Sequence, residues 1–218
     1  MDAVNELVQP IFVQRGADHE ETVYAAMCAS FRLVKGNRDH PAVVEWMSGR
    51  FTKTVRRLKH RDMDVLAKRA KTVNRPDGDS PSFTVIDFRY EDARAVAMLP
   101  TTYDEFDPIM KRGQVSGTDF ERTGTIDGDR YKWVTVFVLD SLTTGKAAAQ
   151  AAHAIVALVD RLPRHSLPNL HFVDAQTLAE KAGLDGAVAI NDAGLTEVEP
   201  GTLCAVGVPL EKAFPPLD

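Results

Sequence analysis

Thr144-Gly145-Lys146-Ala147-Ala148-Ala149-Gln150-Ala151-Ala152-His153-Ala154 is the stretch on which the reading of this chain turns. At about 100° per residue, Lys146, Gln150 and His153 fall on one narrow stripe of an otherwise Ala-rich helix. Thr144 is placed to cap that helix. The residues before it, 131–139, are nearly continuous in apolar character, as a strand buried on both faces should be. After it come a helix expected over 145–162 and a strand at 170–173. A second helix over 175–182 is stopped by Gly183, and strands follow at 187–191 and 203–208. A closing helical turn is expected over 210–214. Strand, long helix, strand, helix and two strands make an α/β unit.

The first half repeats that order. A strand over 9–14 ends near Gly16. A helix over 20–35 has Val23, Ala26, Met27, Phe31 and Val34 on its apolar side, with Asp18 or His19 as cap and Gly36 as stop. A second helix over 40–49 opens at Pro41 and carries Trp46. A strand at 52–58, a helix at 63–71, a loop at 76–81, strands at 82–88 and 94–99 and a short helix at 103–110 complete it. The Gly-containing polar stretch 113–130 reads as a linker. The fold expected is α/β: two tandem three-layer units with mixed sheets, residues 1–112 and 131–218, repeating at about 120 residues, too long for a solenoid.

A chain of 218 residues with 44% hydrophobic and 26% charged content is ordinary for a globular protein. The acidic start does not read as a signal peptide, so none is expected, and the apolar run near 147–159, broken by Gln150 and His153, is too short to span a bilayer. Two cysteines inside apolar segments, Cys28 and Cys204, point to a reducing, cytoplasmic setting rather than a disulfide framework. No cysteine or histidine spacing calls for a metal.

The formal charge of −5 is unevenly spread, for residues 126–218 hold 7 Lys/Arg against 12 Asp/Glu. Residues 50–71 carry nine bases, among them Arg50, Lys53, Arg56, Arg57 and Lys59, against Asp62 and Asp64. A solvated helical face is the ordinary meaning of such a run. A footprint for a phosphate backbone is the sharper one.

The second half resembles the archaeal–eukaryotic (type 2) peptidyl-tRNA hydrolase family. That family opens a helix with Gly-Lys-x-Ala-Ala-Gln-x-x-His-Ala, matched at every marked position from Gly145 to Ala154. It closes with Asp-Ala-Gly-Arg-Thr-Gln-x-x-Pro-Gly-Thr/Ser before an apolar strand. Here Asp192, Ala193, Gly194, Thr196, Pro200, Gly201 and Thr202 match, while Leu195 and Glu197 replace the Arg and Gln. The segment between the motifs is short and lacks a clear second helix before Leu170. Residues 45–55, with Trp46, Gly49 and Lys53, resemble another motif of the family. They mark the first half as a degenerate copy, in which Val23, Met27 and Ser30 stand for the Lys, Gln and His, and Asp87 and Arg89 are the nearest trace of the acidic motif.

The resemblance implies hydrolysis of the ester in peptidyl-tRNA or N-blocked aminoacyl-tRNA, releasing free tRNA by water attack, without metal or organic cofactor. It implies an internal pseudo-dimer that is monomeric as a chain, with a further homodimer left open. The expected site is Lys146, Gln150, His153, Asp192, Thr196 and Thr202. Lys146 at a helix N-terminus suits an anion, a terminal phosphate or the oxyanion. His153 titrates near neutrality and is a candidate base or water-orienting group, though a lone histidine on an apolar face is more often a satisfied core residue. Asp192 either orients His153, acts as the base, or closes an Asx turn. Gln150 holds a ribose hydroxyl or the attacking water. Thr196 and Thr202 offer hydroxyls that also suit local backbone bonds. Cys204 in an apolar strand reads as core, not nucleophile. Arg50, Lys53, Arg56, Arg57 and Lys59 are the expected RNA contacts. Two other readings are a hydrolase-like module that has lost turnover and binds RNA or a nucleotide, and a duplicated scaffold for protein contacts.

Overall fold

The computed structural model describes residues 6–69, 72–73, 82–124, 126, 133–163, 166–194 and 197–210. The loop expected at 76–81 and nearly all of the closing turn at 210–214 lie outside them. The first half runs β1 (Gln9–Gln14), α1 (His19–Gly36), α2 (Pro41–Ser48), β2 (Lys53–Leu58), α3 (His60–Ala67), β3 (Thr72–Val73), β4 (Ser82–Phe83), β5 (Val85–Tyr90) and β6 (Ala93–Met98). The second runs β7 (Val134–Leu139), α4 (Thr144–Ala157), β8 (Asn169–Val173), α5 (Ala175–Ala182), β9 (Val188–Asn191) and β10 (Leu203–Pro209).

The strand read over 82–88 is two, β4 and β5, broken at Thr84, and β5 runs on to Tyr90; three further differences have plain causes. Helix α3 begins at His60, ahead of its first apolar residue Met63, because its first turn, His60, Arg61 and Asp62, is polar and leaves no mark on the apolar period. The helix expected at 103–110 is instead two 3-10 turns, Tyr103–Glu105 and Met110–Arg112, separated across Pro108, which cannot donate to a preceding turn. Helix α4 ends at Ala157, yet Leu158, Val159 and Leu162 remain buried in the turns that follow, so their apolar character reports burial and not helix.

The two halves are tandem α/β units of the same topology. One four-stranded sheet has the order β2-β1-β6-β5 and the other β8-β7-β10-β9. In each, the first strand pairs in parallel with the second and the remaining neighbours are antiparallel. The loops from first strand to helix have the same length, for β1 ends at Gln14 and Asp18 caps α1, while β7 ends at Leu139 and Thr143 caps α4.

Helices α1 and α4 lie side by side and parallel in a layer between the sheets. Their starts meet at His19 and Thr144, and their ends meet where Lys35 donates to the Val159 carbonyl at 2.9 Å and Arg38 pairs with Asp160. One apolar core runs through this layer. It joins Ile11, Val13, Ala95 and Ala97 of the first sheet, the two helices, and Val134, Val136, Val138 and Val206 of the second. Val8, Phe12, Leu58, Val85 and Val96 point to the opposite face of the first sheet and form a separate cluster with Met63, Leu66, Phe106 and Met110. The strict alternation of β1 between these two clusters is the period of a strand covered on both faces. The alanines of α4 let it approach β10 closely at Gly207, where a Cβ would stand 3.0 Å from the Ala154 carbonyl oxygen and 2.9 Å from Leu158.

Residues 113–124, read from composition as linker, pack against both units. The Thr118 carbonyl accepts from Gly145 N at 2.8 Å and the Glu121 carbonyl from His19 N at 2.8 Å, so one segment satisfies backbone donors at the starts of both central helices. Gln114 exchanges both backbone hydrogen bonds with Arg57 of β2.

Candidate active site

The stripe on α4 divides between two environments. Lys146 and Gln150 meet Asp192, which follows β9. The Lys146 ammonium forms an ion pair with Asp192 Oδ1, and Gln150 Nε2 donates to the same oxygen at 3.3 Å. Asp192 Oδ2 accepts from Gly194 N at 3.0 Å, an Asx turn. Its backbone is fixed by Asp192 N to the Thr202 carbonyl at 2.8 Å and by Gly201 N to its own carbonyl at 2.9 Å. Asp192 therefore both closes the turn and joins the site. Gly194 is required, since its φ is +79° and a Cβ would lie 2.6 Å from Pro200 Cγ.

Asp192 and Gln150 are each 6% exposed. Burial raises the Asp192 carboxyl, but Lys146 and the N–H groups of Gly194 and Ala193 outweigh it and hold it below the usual range. The group is ionised at neutral pH. Gln150 Oε1 is buried without a hydrogen-bond partner among the described residues. A buried amide oxygen left so calls for a donor such as water or a ligand hydroxyl.

The start of α4 is not an open anion site. Thr143 N and its hydroxyl both donate to the Glu197 carboxylate, at 2.9 and 2.8 Å. Thr144 N faces Asp119 Oδ1 at 3.4 Å, and Gly145 N is taken by Thr118. Carboxylates thus already answer the positive end of the helix. The cap is Thr143, not Thr144. The Thr144 hydroxyl is buried, accepting from Phe120 N at 2.8 Å and lying 3.0 Å from His19 Nδ1. Lys146, expected to hold a phosphate, is committed to Asp192.

His153 turns away from Asp192 toward the other unit. Its Nδ1 lies 3.2 Å from Lys53 Nζ of β2, and Phe51 stands edge-on to the ring with centroids 4.9 Å apart. Lys53 Nζ sits 4.5 Å from the ring centroids of both Trp46 and Phe51. Burial first, and the charges of Lys53 and Lys146 second, push His153 well below the ordinary histidine value. It is a neutral imidazole at physiological pH. The ring thus meets Lys53, and among the described residues no hydrogen bond joins it to Asp192.

Thr202 donates to the Glu199 carbonyl at 2.7 Å, the local bond typical of a turn threonine. Thr196 and Leu195 lie outside the described residues. Cys204 donates toward the Thr202 carbonyl at 3.4 Å, and burial raises its thiol, so it stays protonated. The basic run does not form one face. Lys53 is enclosed by rings. Arg56 donates to the Gly113 carbonyl at 3.0 Å and lies 5.2 Å over Phe106, while Arg57 donates to the Gly117 carbonyl and to Gln114 Oε1 at 2.8 Å. These arginines fasten residues 113–117 to β2. Arg50 and Lys59 are exposed.

The first unit carries no second copy. With the caps Asp18 and Thr143 superposed, Glu21, Ala25 and Cys28 take the places of Lys146, Gln150 and His153, not Val23, Met27 and Ser30. Strand register sets Phe88 opposite Ala95 and Ile190 opposite Ala205, so Asp192 corresponds to Tyr90 and not to Asp87. Asp87 instead holds the buried Arg94 at 2.8 Å.

The pairing of Lys53 with His153 and the seating of Glu197 on Thr143 are the contacts that sequence reasoning did not foresee. Among the described residues, no group of three or more His, Cys, Asp or Glu is arranged to hold a metal, and no helix is long and apolar enough to cross a membrane. No protein-family model and no curated protein matches the sequence.

Proposed function

We propose that this protein hydrolyses the ester joining a peptidyl or N-blocked aminoacyl group to the terminal ribose of tRNA, with Lys146, Gln150 and Asp192 as its centre. The observation that carries the reading is the meeting of the two motifs. Residues 42 and 46 positions apart in the chain converge on one carboxylate oxygen, with an unanswered amide oxygen beside it. Those are the residue types in which the chain matches the hydrolase family it resembles.

The chemistry divides among them. Gln150 Oε1 accepts a hydrogen bond from the attacking water and orients it, and the proton that the water gives up passes, directly or through further water, to the departing ribose oxygen. The Lys146 ammonium stabilises the oxyanion as the carbonyl is attacked, a role worth on the order of 10²-fold or more in a desolvated site. Asp192 holds both groups in place. Water attacks directly, because the Cys204 thiol is protonated and bonded to a backbone carbonyl. Exposed Arg50 and Lys59 remain candidates for RNA phosphates. On this reading the protein acts in the cytoplasm, where its substrate forms.

A hydrolase-like module that binds RNA or a nucleotide elsewhere on its surface, without turnover, is favoured by one feature, the Glu197 carboxylate that occupies the start of α4 and keeps phosphates from that end of the site. Incubation of the full chain with N-acetylated aminoacyl-tRNA separates the two. The hydrolase reading expects tRNA release over time. Binding that weakens with salt, without release, supports the second reading.

A further inference from the structure

Lys53 stands where a lysine is rarely left. Its Nζ is clamped 4.5 Å from the faces of Trp46 and Phe51, and 3.2 Å from His153 Nδ1. Among the described residues no carboxylate lies within ion-pair reach of it. The residue as a whole is half-buried, between the exposed Arg50 and Lys59. Phe51, which forms one wall, has φ of +34°, a left-handed conformation that costs a bulky residue about 1–2 kcal/mol and persists where the surroundings enforce it. The ring contacts from Phe51 to Trp46 at 5.4 Å and to His153 at 4.9 Å are what hold it there. Three elements, α2, β2 and α4, from both units thus converge on one amine.

We propose that Lys53 is a carbonyl-reactive amine that forms an imine with small aldehydes, with His153 Nδ1 as the hydrogen-bond acceptor that orients it. A lysine desolvated among apolar groups becomes nucleophilic at neutral pH. Burial pushes Lys53 well below the usual lysine range. The ammonium gives up one proton to water. The freed lone pair attacks the aldehyde carbon, a C–N bond forms and a second N–H proton moves to the oxygen. A proton from water then reaches the carbinolamine hydroxyl, which leaves as water and gives the protonated imine. The carbonyl class follows from the two ring faces. An imine keeps the positive charge they stabilise, whereas acylation to an amide would remove it. This inference does not depend on tRNA hydrolysis.

The test is reductive trapping. The full chain is incubated with propanal and cyanoborohydride at pH 7 and at pH 9, and modified lysines are located by peptide mass mapping. Exposed Lys59, on the same stretch of chain, is the internal standard. Lys53 is expected to be modified at least about tenfold faster than Lys59 at pH 7, because each unit of pKa changes the free-amine fraction tenfold. Its rate should rise less between pH 7 and pH 9 than that of an ordinary lysine. His153→Gln, similar in volume, should slow Lys53 at pH 7 and leave Lys59 unchanged. Lys53 labelled no faster than Lys59 in the parent, or not labelled at all, overturns the proposal without reference to the variant.

Discussion

His19 and Thr144 hold the same place in the two units, the first position of the central helix, and they touch one another, imidazole Nδ1 to hydroxyl at 3.0 Å. The same hydroxyl accepts from Phe120 N at 2.8 Å. Two equivalent residues in mutual contact mark the point about which the units are arranged. Thr144→Val keeps the shape but strands a backbone N–H and a buried ring nitrogen. It should destabilise the chain by about 2 kcal/mol. Because the apolar core runs through both units, urea unfolding of parent and variant should be a single transition by both fluorescence and circular dichroism. Two separated transitions would show that the halves fold independently.

The Lys146–Asp192 pair is buried on both sides, with side chains 9% and 3% exposed. Removing one partner leaves a charge without compensation, so Lys146→Met alone should cost about 3–5 kcal/mol. The double variant Lys146→Met/Asp192→Asn should recover part of that loss. A double-mutant cycle in urea measures the coupling, and purely additive effects would contradict a direct pair.

His153 and His19 both bind a proton more weakly in the folded chain than in the unfolded one, each chiefly because of burial. Their contribution to stability is therefore complete above about pH 6.5 and lost as the pH falls toward their folded values. Between pH 7.5 and 5.5 the urea midpoint should fall, and His153→Gln should flatten the drop. An unchanged pH dependence in that variant would mean that His153 titrates normally.

Much of this architecture was legible in the chain. The continuous apolar run of β7, the Ala-rich α4 and the matching order of elements announced two α/β units. The motifs named the three residues that now meet, Lys146, Gln150 and Asp192. What stayed hidden depends on contacts between distant segments. Nothing local tells His153 that its partner is Lys53 of the other unit, or Thr143 that Glu197 will cap it. Charge counting read residues 50–71 as a face, but alternation along β2 sends Arg56 and Arg57 to opposite sides, where each fastens backbone. Degenerate alignment without a structure slipped by two residues along α1, because in an apolar helix Val23 and Glu21 are equally plausible starts until strand and cap fix the register.

Gly194 links loop geometry to the carboxylate. Gly194→Ala adds a Cβ where φ is +79° and Pro200 is 2.6 Å away. The turn must shift, and Asp192 Oδ2 loses its backbone donor. Ester hydrolysis should fall by roughly tenfold or more, as expected when a supporting contact of a catalytic group moves by about 1 Å. Global stability should change by little more than the usual 1–2 kcal/mol of a surface turn. Full activity in this variant would separate the loop from the site.

The most direct test compares Asp192→Asn, Gln150→Leu and His153→Gln in single-turnover hydrolysis of N-acetylated aminoacyl-tRNA, with folding of each confirmed. The account predicts that the parent releases tRNA, that Asp192→Asn and Gln150→Leu lose on the order of 10²-fold, and that His153→Gln stays within about tenfold of the parent, as a neutral imidazole outside the reacting centre should. Loss in His153→Gln with activity retained in the other two would contradict it, and so would a parent that releases no tRNA.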